Sequence, residues 1–131
     1  MTEHQHEMGL AAEWFHAMLR YEEDRKIIEG RKGTKKWLKI NLGDVILITN
    51  SNNPDESFLF KVEGFMPPGK DVDEKWRPYG SIREYLEEVG LQNALPGKET
   101  LEEGVKEYEK FWTDPEEIRK YGVFGILGRP M

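Results

Sequence analysis

Helix starts are written three times in the second half of this chain, and they decide its class. Ser81-x-x-Glu84 and Thr100-x-x-Glu103 are capping boxes, in which hydroxyl and carboxylate each satisfy a backbone N–H that a first helical turn leaves unpaired. Asp114, with Pro115 at the next position and Glu117 three residues on, opens a third, shorter helical turn. Ile82, Tyr85, Leu86 and Val89 form one apolar face behind the first box, with Gly90 as its stop, and Leu101, Val105, Tyr108 and Trp112 form another behind the second. Upstream the pattern is extended. Ile27 and Ile28 suit a short strand, and Ile40 with Val45, Ile46, Leu47 and Ile48 reads as strand, turn, strand about Gly43-Asp44. "FLFKVEGF" (58–65) is a further strand and "YGVFGILG" (121–128) closes the chain, while 50–57 and 66–78 are exposed turns and loops. Strands split by helices without a βαβ rhythm predict an α+β fold with a mostly antiparallel sheet or small barrel.

A single amphipathic helix precedes all of this. Ala11, Trp14, Phe15, Met18 and Leu19 keep helical spacing until "EEDR" (22–25). Residues 1–9 are polar and poorly patterned; a frayed N-terminus is expected there, followed by one domain over 10–131. A length of 131 residues buries one core without staples. With no cysteine, no apolar run of membrane length and no export signal, the chain reads as a soluble monomer of the cytoplasm or nucleus. His4 and His6 have no third ligand at metal spacing, so neither a metal nor a cofactor is expected. His16, on a helix, is read as structural, and Trp14 and Trp112, on apolar helical faces, as core. No nucleophilic cysteine, phosphate loop or G-x-S-x-G is present.

Charge is unevenly placed. The segment "DRKIIEGRKGTKKWLK" (24–39) holds seven basic residues against Asp24 and Glu29, a balance of +5 in a chain of net charge −6, which leaves −11 for the remainder. Nucleic-acid contact must therefore be local, since such affinity grows with the phosphates neutralised. In an extended segment Glu29 and Arg31 point the same way, about 7 Å apart. With Lys26 at the helix-to-strand junction they form a set able to accept from a base edge, bind a phosphate or carbonyl, and supply a charge or a base. Lys32, Lys35 and Lys36 are expected on a basic hairpin tip, with Trp37 among them as a stacking platform.

The arrangement Lys26-x-x-Glu29-x-Arg31, followed by Ile40-x-x-Gly43-Asp44-x-Ile46, resembles the G-x-K-x-x-E-x-R … I-x-x-G-D-x-I signature of the ASCH domain, and residues 79–108 and "YGVFGI" are similar to that family's C-terminal half. The resemblance spans roughly residues 8–127 and implies a PUA-like, mostly antiparallel β-barrel with flanking helices and a cleft for RNA or a nucleotide-like small molecule. On it, Lys26, Glu29 and Arg31 fall on the family's lysine, acidic and arginine positions, and Tyr79 and Ser81 join the ligand-binding candidates. Some ASCH proteins are N4-acetylcytidine amidohydrolases and one has been described as a ribonuclease; an enzyme of that kind would use Lys26 as base and Glu29 or Glu88 to move protons, with Glu87 the alternative to Glu88. Two departures stand out: Asp24 replaces the family glycine, and Glu29 occupies the place of the amidohydrolase threonine. A third reading, a protein-interaction module, uses the acidic helices around 84–117. Binding of RNA or a nucleotide is the first expectation.

Overall fold

The computed structural model describes residues 3–20 and 27–131. Five strands form one sheet: β1 (His6–Leu10), β2 (Ile27–Lys32), β3 (Val45–Asn50), β4 (Asn53–Met66) and β5 (Val123–Pro130). Their order is β1-β3-β4-β5-β2, antiparallel throughout except for the parallel pair β1–β3. β1 and β2 are thus opposite edges, yet the Arg31 guanidinium on β2 donates to the Gly9 carbonyl on β1 at 3.2 Å. Only a sheet curled into a half-barrel brings its two edges that close.

Helices α1 (Ala12–Leu19), α2 (Lys35–Leu38), α3 (Ile82–Val89), α4 (Leu91–Ala94), α5 (Leu101–Glu109) and α6 (Pro115–Tyr121) complete the fold. The three helices start where the sequence places them, but only the hydroxyl half of each capping box is built: the Glu84 carboxylate takes the Gly80 N–H, and that of Glu103 the Thr100 hydroxyl. Ser81 accepts from the Glu84 N–H, Thr100 from the Glu103 N–H, and Asp114 from the Glu116 N–H with Pro115 in the first turn.

Strand alternation divides the core. Ile27, Phe124 and Ile126 face a cluster holding Leu10, Phe15, Ile46, Ile48 and Phe60, while Ile28 and Val123 face the helical layer of Ile82, Tyr85, Leu86 and Tyr108. α1 sits in the first cluster; α3 to α6 supply the second.

Four expectations are corrected. Residues 6–10 are a strand and not a frayed end: Met8 and Leu10 are buried on one face, and two apolar positions are too few to register as periodicity. Lys35–Leu38 is a helical turn, not a hairpin tip. Ile40 is fully buried but follows that turn outside any strand, so the β-rich run is a single strand. β4 begins at Asn53, inside the segment read as a surface turn. Among the described residues no helix is long and apolar enough to cross a membrane.

Candidate functional site

The gap between the two sheet edges is a cavity of about 530 Å³. Its strand wall comprises β1 from Glu7 to Leu10 and, on β2, Glu29, Arg31 and Lys32, with Lys36 and Trp37 of α2 beside them. The opposite wall is helical: Trp14 and Met18 of α1, the Asn93–Pro96 stretch, Glu107 and Tyr108 of α5, and Phe111 and Trp112 just beyond it.

β2 positions the polar pair. Glu29 and Arg31 share a strand face, and Arg31 Nη1 lies 3.0 Å from Glu29 Oε1, with side chains 14% (Arg31) and 13% (Glu29) exposed. Between them Gly30 is required: a Cβ there would come within 2.8 Å of the Tyr85 hydroxyl and 2.9 Å of the Tyr108 hydroxyl. Arg31 is clamped from several sides. Nη1 also donates to the Gly30 carbonyl at 3.3 Å, Nη2 reaches Gly9, and the guanidinium carbon stands 5.0 Å from the Trp37 ring centroid. Its buried Nε has no hydrogen-bond partner among the described residues. A buried donor without an acceptor costs free energy, and since this one is closed to solvent a ligand's acceptor would reach it only by shifting the side chain.

Burial raises the Glu29 carboxyl above its ordinary range, and the Arg31 charge pulls it only partly back. Desolvation likewise pushes the phenols of Tyr85 and Tyr108 up; their hydroxyls are 3.4 Å apart. The strand wall thus combines an arginine with a carboxyl group inclined to hold its proton.

The helix wall carries a second glutamate in a different setting. Glu107, 4% exposed, accepts from the Trp14 indole N–H at 3.1 Å and from Lys110 Nζ at 3.0 Å, and pairs with Lys98 Nζ at 3.4 Å. Burial opposes its ionisation, but these donors outweigh it and hold the carboxyl below its ordinary range. Tyr108 stacks on Trp112 at 4.7 Å and 22°.

The Gly43-Asp44 pair shapes the same site from a distance. Gly43 turns with φ +84°, and Asp44 accepts from the Asn41 N–H at 2.9 Å and lies 2.8 Å from His6 Nε2, fixing the start of β1 and so one cavity wall.

Of the residues singled out by sequence, the cavity gathers Glu29, Arg31, Lys32, Lys36 and Trp37. Lys35 is exposed on α2 and does not line it, and Lys32 is committed to an ion pair with Glu117. Lys26 lies outside the described residues. Tyr79, Ser81 and Glu88 are elsewhere: Tyr79 bridges to Val123, Ser81 caps α3, and Glu88 is exposed on α3 near Tyr79. Glu87, the alternative to Glu88, pairs with Arg83. Trp14 and Trp112, expected in the core, are half-buried cavity walls. Sequence reasoning missed them because an apolar helical face looks alike whether it meets a core or a cavity, and missed Glu107 because one more glutamate in an acidic helix carries no signal of burial.

No protein-family model matches this chain, and no curated protein does. Among solved structures it is similar to hypothetical protein PH0355, known from a crystal structure, at 35% identity over 96% of this chain and 98% of that one with a TM-score of 0.74. It is also similar to protein PF0455 from Pyrococcus furiosus, known from solution NMR, at 32% identity over 97% and 98% with a TM-score of 0.65.

Proposed function

We propose that this chain, which belongs to one family with PH0355 and PF0455, is an ASCH-type, PUA-like domain that binds a nucleotide-like ligand or an unstacked RNA base in the cavity between its sheet edges. One observation carries the reading: the Glu29–Arg31 pair, with its unsatisfied Arg31 Nε, lies in the wall of a cavity that Trp14, Trp37 and Trp112 also line. About 530 Å³ is within the range of small-ligand sites. Aromatic faces stack any base, at roughly 1–3 kcal/mol each, and a guanidinium beside a carboxyl group offers donors and an acceptor to a base edge. The spacing Glu29-x-Arg31 and Gly43-Asp44-x-Ile46 supports the ASCH assignment: the first segment lines the cavity, and Asp44 of the second holds His6 at the start of β1. Lys35 and Lys36 on α2, with Lys39 just after it, give the otherwise acidic surface a local place for phosphates.

A second reading, a hydrolase acting in the same cavity, is favoured by the raised Glu29 carboxyl, since a carboxyl that burial inclines to hold its proton is what general acid–base chemistry uses. Calorimetric titration with the four ribonucleoside 5′-monophosphates, together with incubation with N4-acetylcytidine, separates the two. Binding of at least one monophosphate, weakened about 10- to 100-fold by Arg31→Lys through loss of the planar fork, and no release of cytidine, is the expected result. Absence of binding at millimolar concentration would overturn the binding reading. Robust turnover abolished by Lys26→Ala would promote the hydrolase.

A further inference from the structure

We infer that Glu107 is the positioning residue of this cavity: its carboxylate holds the Trp14 indole in place between two separately packed parts of the molecule. α1 is only eight residues long and Ala11 at its N-cap has no side chain to cap it; Asn52 Oδ1 accepts from the Ala12 N–H at 2.8 Å, and the helix otherwise depends on what it packs against. Phe15 and Met18 seat it in the first core cluster, with Phe15 against Phe58 at 5.1 Å. Trp14, one residue earlier and about 100° around the helix, turns the other way and packs against the second cluster. It is the side chain through which α1 meets Glu107 on α5.

That meeting is specific. The two carboxylate oxygens are divided: Oε1 faces both ammonium groups, Lys110 at 3.0 Å and Lys98 at 3.4 Å, and Oε2 takes the indole N–H at 3.1 Å. Lys98 Nζ also stands 6.0 Å from the Trp14 ring centroid. Indole has one polar atom, and here it is used on a group that itself lines the cavity. An apolar side chain at position 107 would cover this face of α5 without the cost of desolvating a carboxylate. What it could not do is fix the rotation of the Trp14 ring. A ring set in advance spares a planar ligand the cost of ordering it on binding. The inference rests on the reading that the cavity takes such a ligand, but the placement of Trp14 can be measured without one.

The chain has four tryptophans, so a 15N-labelled sample gives four indole N–H signals, and the Trp14 signal is assigned by its loss in Trp14→Phe. The expected result is that Glu107→Ala shifts that signal and accelerates its exchange with water at least tenfold, whereas Glu107→Gln, which keeps an acceptor oxygen at the same place, restores most of the protection. Where a ribonucleoside monophosphate binds, its affinity falls about 5- to 20-fold in Glu107→Ala, by a similar factor in Trp14→Phe, and hardly in Glu107→Gln. An unmoved Trp14 signal in Glu107→Ala overturns the inference, as does a Gln variant indistinguishable from Ala. If Glu107→Ala does not fold, Trp14→Phe decides: it leaves the lysine pairs intact, and unchanged nucleotide affinity in it overturns the positioning role. A wild-type protein that binds no monophosphate overturns the nucleotide reading, and the indole exchange alone then decides the inference.

Discussion

Two glutamates line the cavity, both largely removed from solvent, and they are driven in opposite directions. Glu29 on the strand wall is raised above its ordinary range and Glu107 on the helix wall is lowered. Burial penalises both. The difference lies in the donors: Glu107 has two ammonium groups and an indole N–H, while Glu29 shares one guanidinium with the carbonyls of Gly9 and Gly30. Desolvation is therefore decisive only where hydrogen-bond donors are scarce. One wall is saturated and serves as scaffold; the other is left short, with an unsatisfied Arg31 Nε, and is the wall with something to offer a ligand.

The harshest way to break this contrast is to take away the cation paired with Glu29. Arg31→Met leaves Glu29 buried without its partner and removes the bond joining the two sheet edges. A loss of about 3 kcal/mol in urea-unfolding stability is expected, at the low end for a broken buried pair because Glu29 can escape by taking up a proton. Adding Glu29→Gln to that variant should recover part of the loss. If the double variant is no more stable than Arg31→Met alone, the strand pair is not coupled as described. Glu107→Gln, which keeps an acceptor for the surrounding donors, should cost about 1 kcal/mol.

Titration sharpens the contrast further, because the two groups contribute pH dependence of opposite sign. A Glu29 carboxyl raised above its unfolded value of 4.5 makes the folded protein bind more protons than the unfolded chain in the window above that value, so its contribution to stability falls as pH rises through the window. Glu107, lowered from the same 4.5, contributes stability that is fully present above that value and is lost as pH falls through its folded one. Relative to wild type, Glu29→Gln should therefore gain as pH rises above 4.5, and the deficit of Glu107→Gln should shrink as pH falls below it. Unfolding midpoints measured from about pH 3 to about pH 7 test this. The same sign for both variants would remove the distinction between the walls.

The strand wall is legible in the sequence and the helix wall is not. Glu29-x-Arg31 is readable because a strand's period of two puts neighbours at i and i+2 on one face whatever surrounds them. The capped helices are readable for a similarly local reason, since a cap is closed within four residues. What escapes depends on partners distant in the chain. β1 exists because Val45–Asn50 pairs with it, and the polar stretch 1–9 gives no hint of that. Glu107 and Trp14 are 93 residues apart and meet only because the sheet curls. The basic segment is legible as a charge feature but not as a shape: "TKKWLK" winds into a turn of helix where a hairpin is expected.

That turn extends the comparison to the rims of the two walls, and it is where the smallest free-energy effect is expected. On the helix rim Lys98 and Lys110 are already paired with Glu107. On the strand rim Lys35, Lys36 and Lys39 are exposed, and none has a carboxylate within 4.0 Å among the described residues; Lys36 lies 4.6 Å from the Trp37 ring centroid. Uncommitted cations are the ones that release counterions when a phosphate backbone arrives. Replacing these three lysines by alanine should leave stability within about 0.5 kcal/mol of wild type, as for exposed positions generally. It should reduce the slope of log K against log[salt] for a single-stranded RNA by about 2, roughly 0.7 for each phosphate no longer neutralised. Replacing Lys98 and Lys110 should lower that slope by less, because the Glu107 carboxylate already offsets one of their two charges. A slope insensitive to the strand-rim lysines but reduced by the helix-rim pair would invert the assignment and place the nucleic-acid backbone along α5.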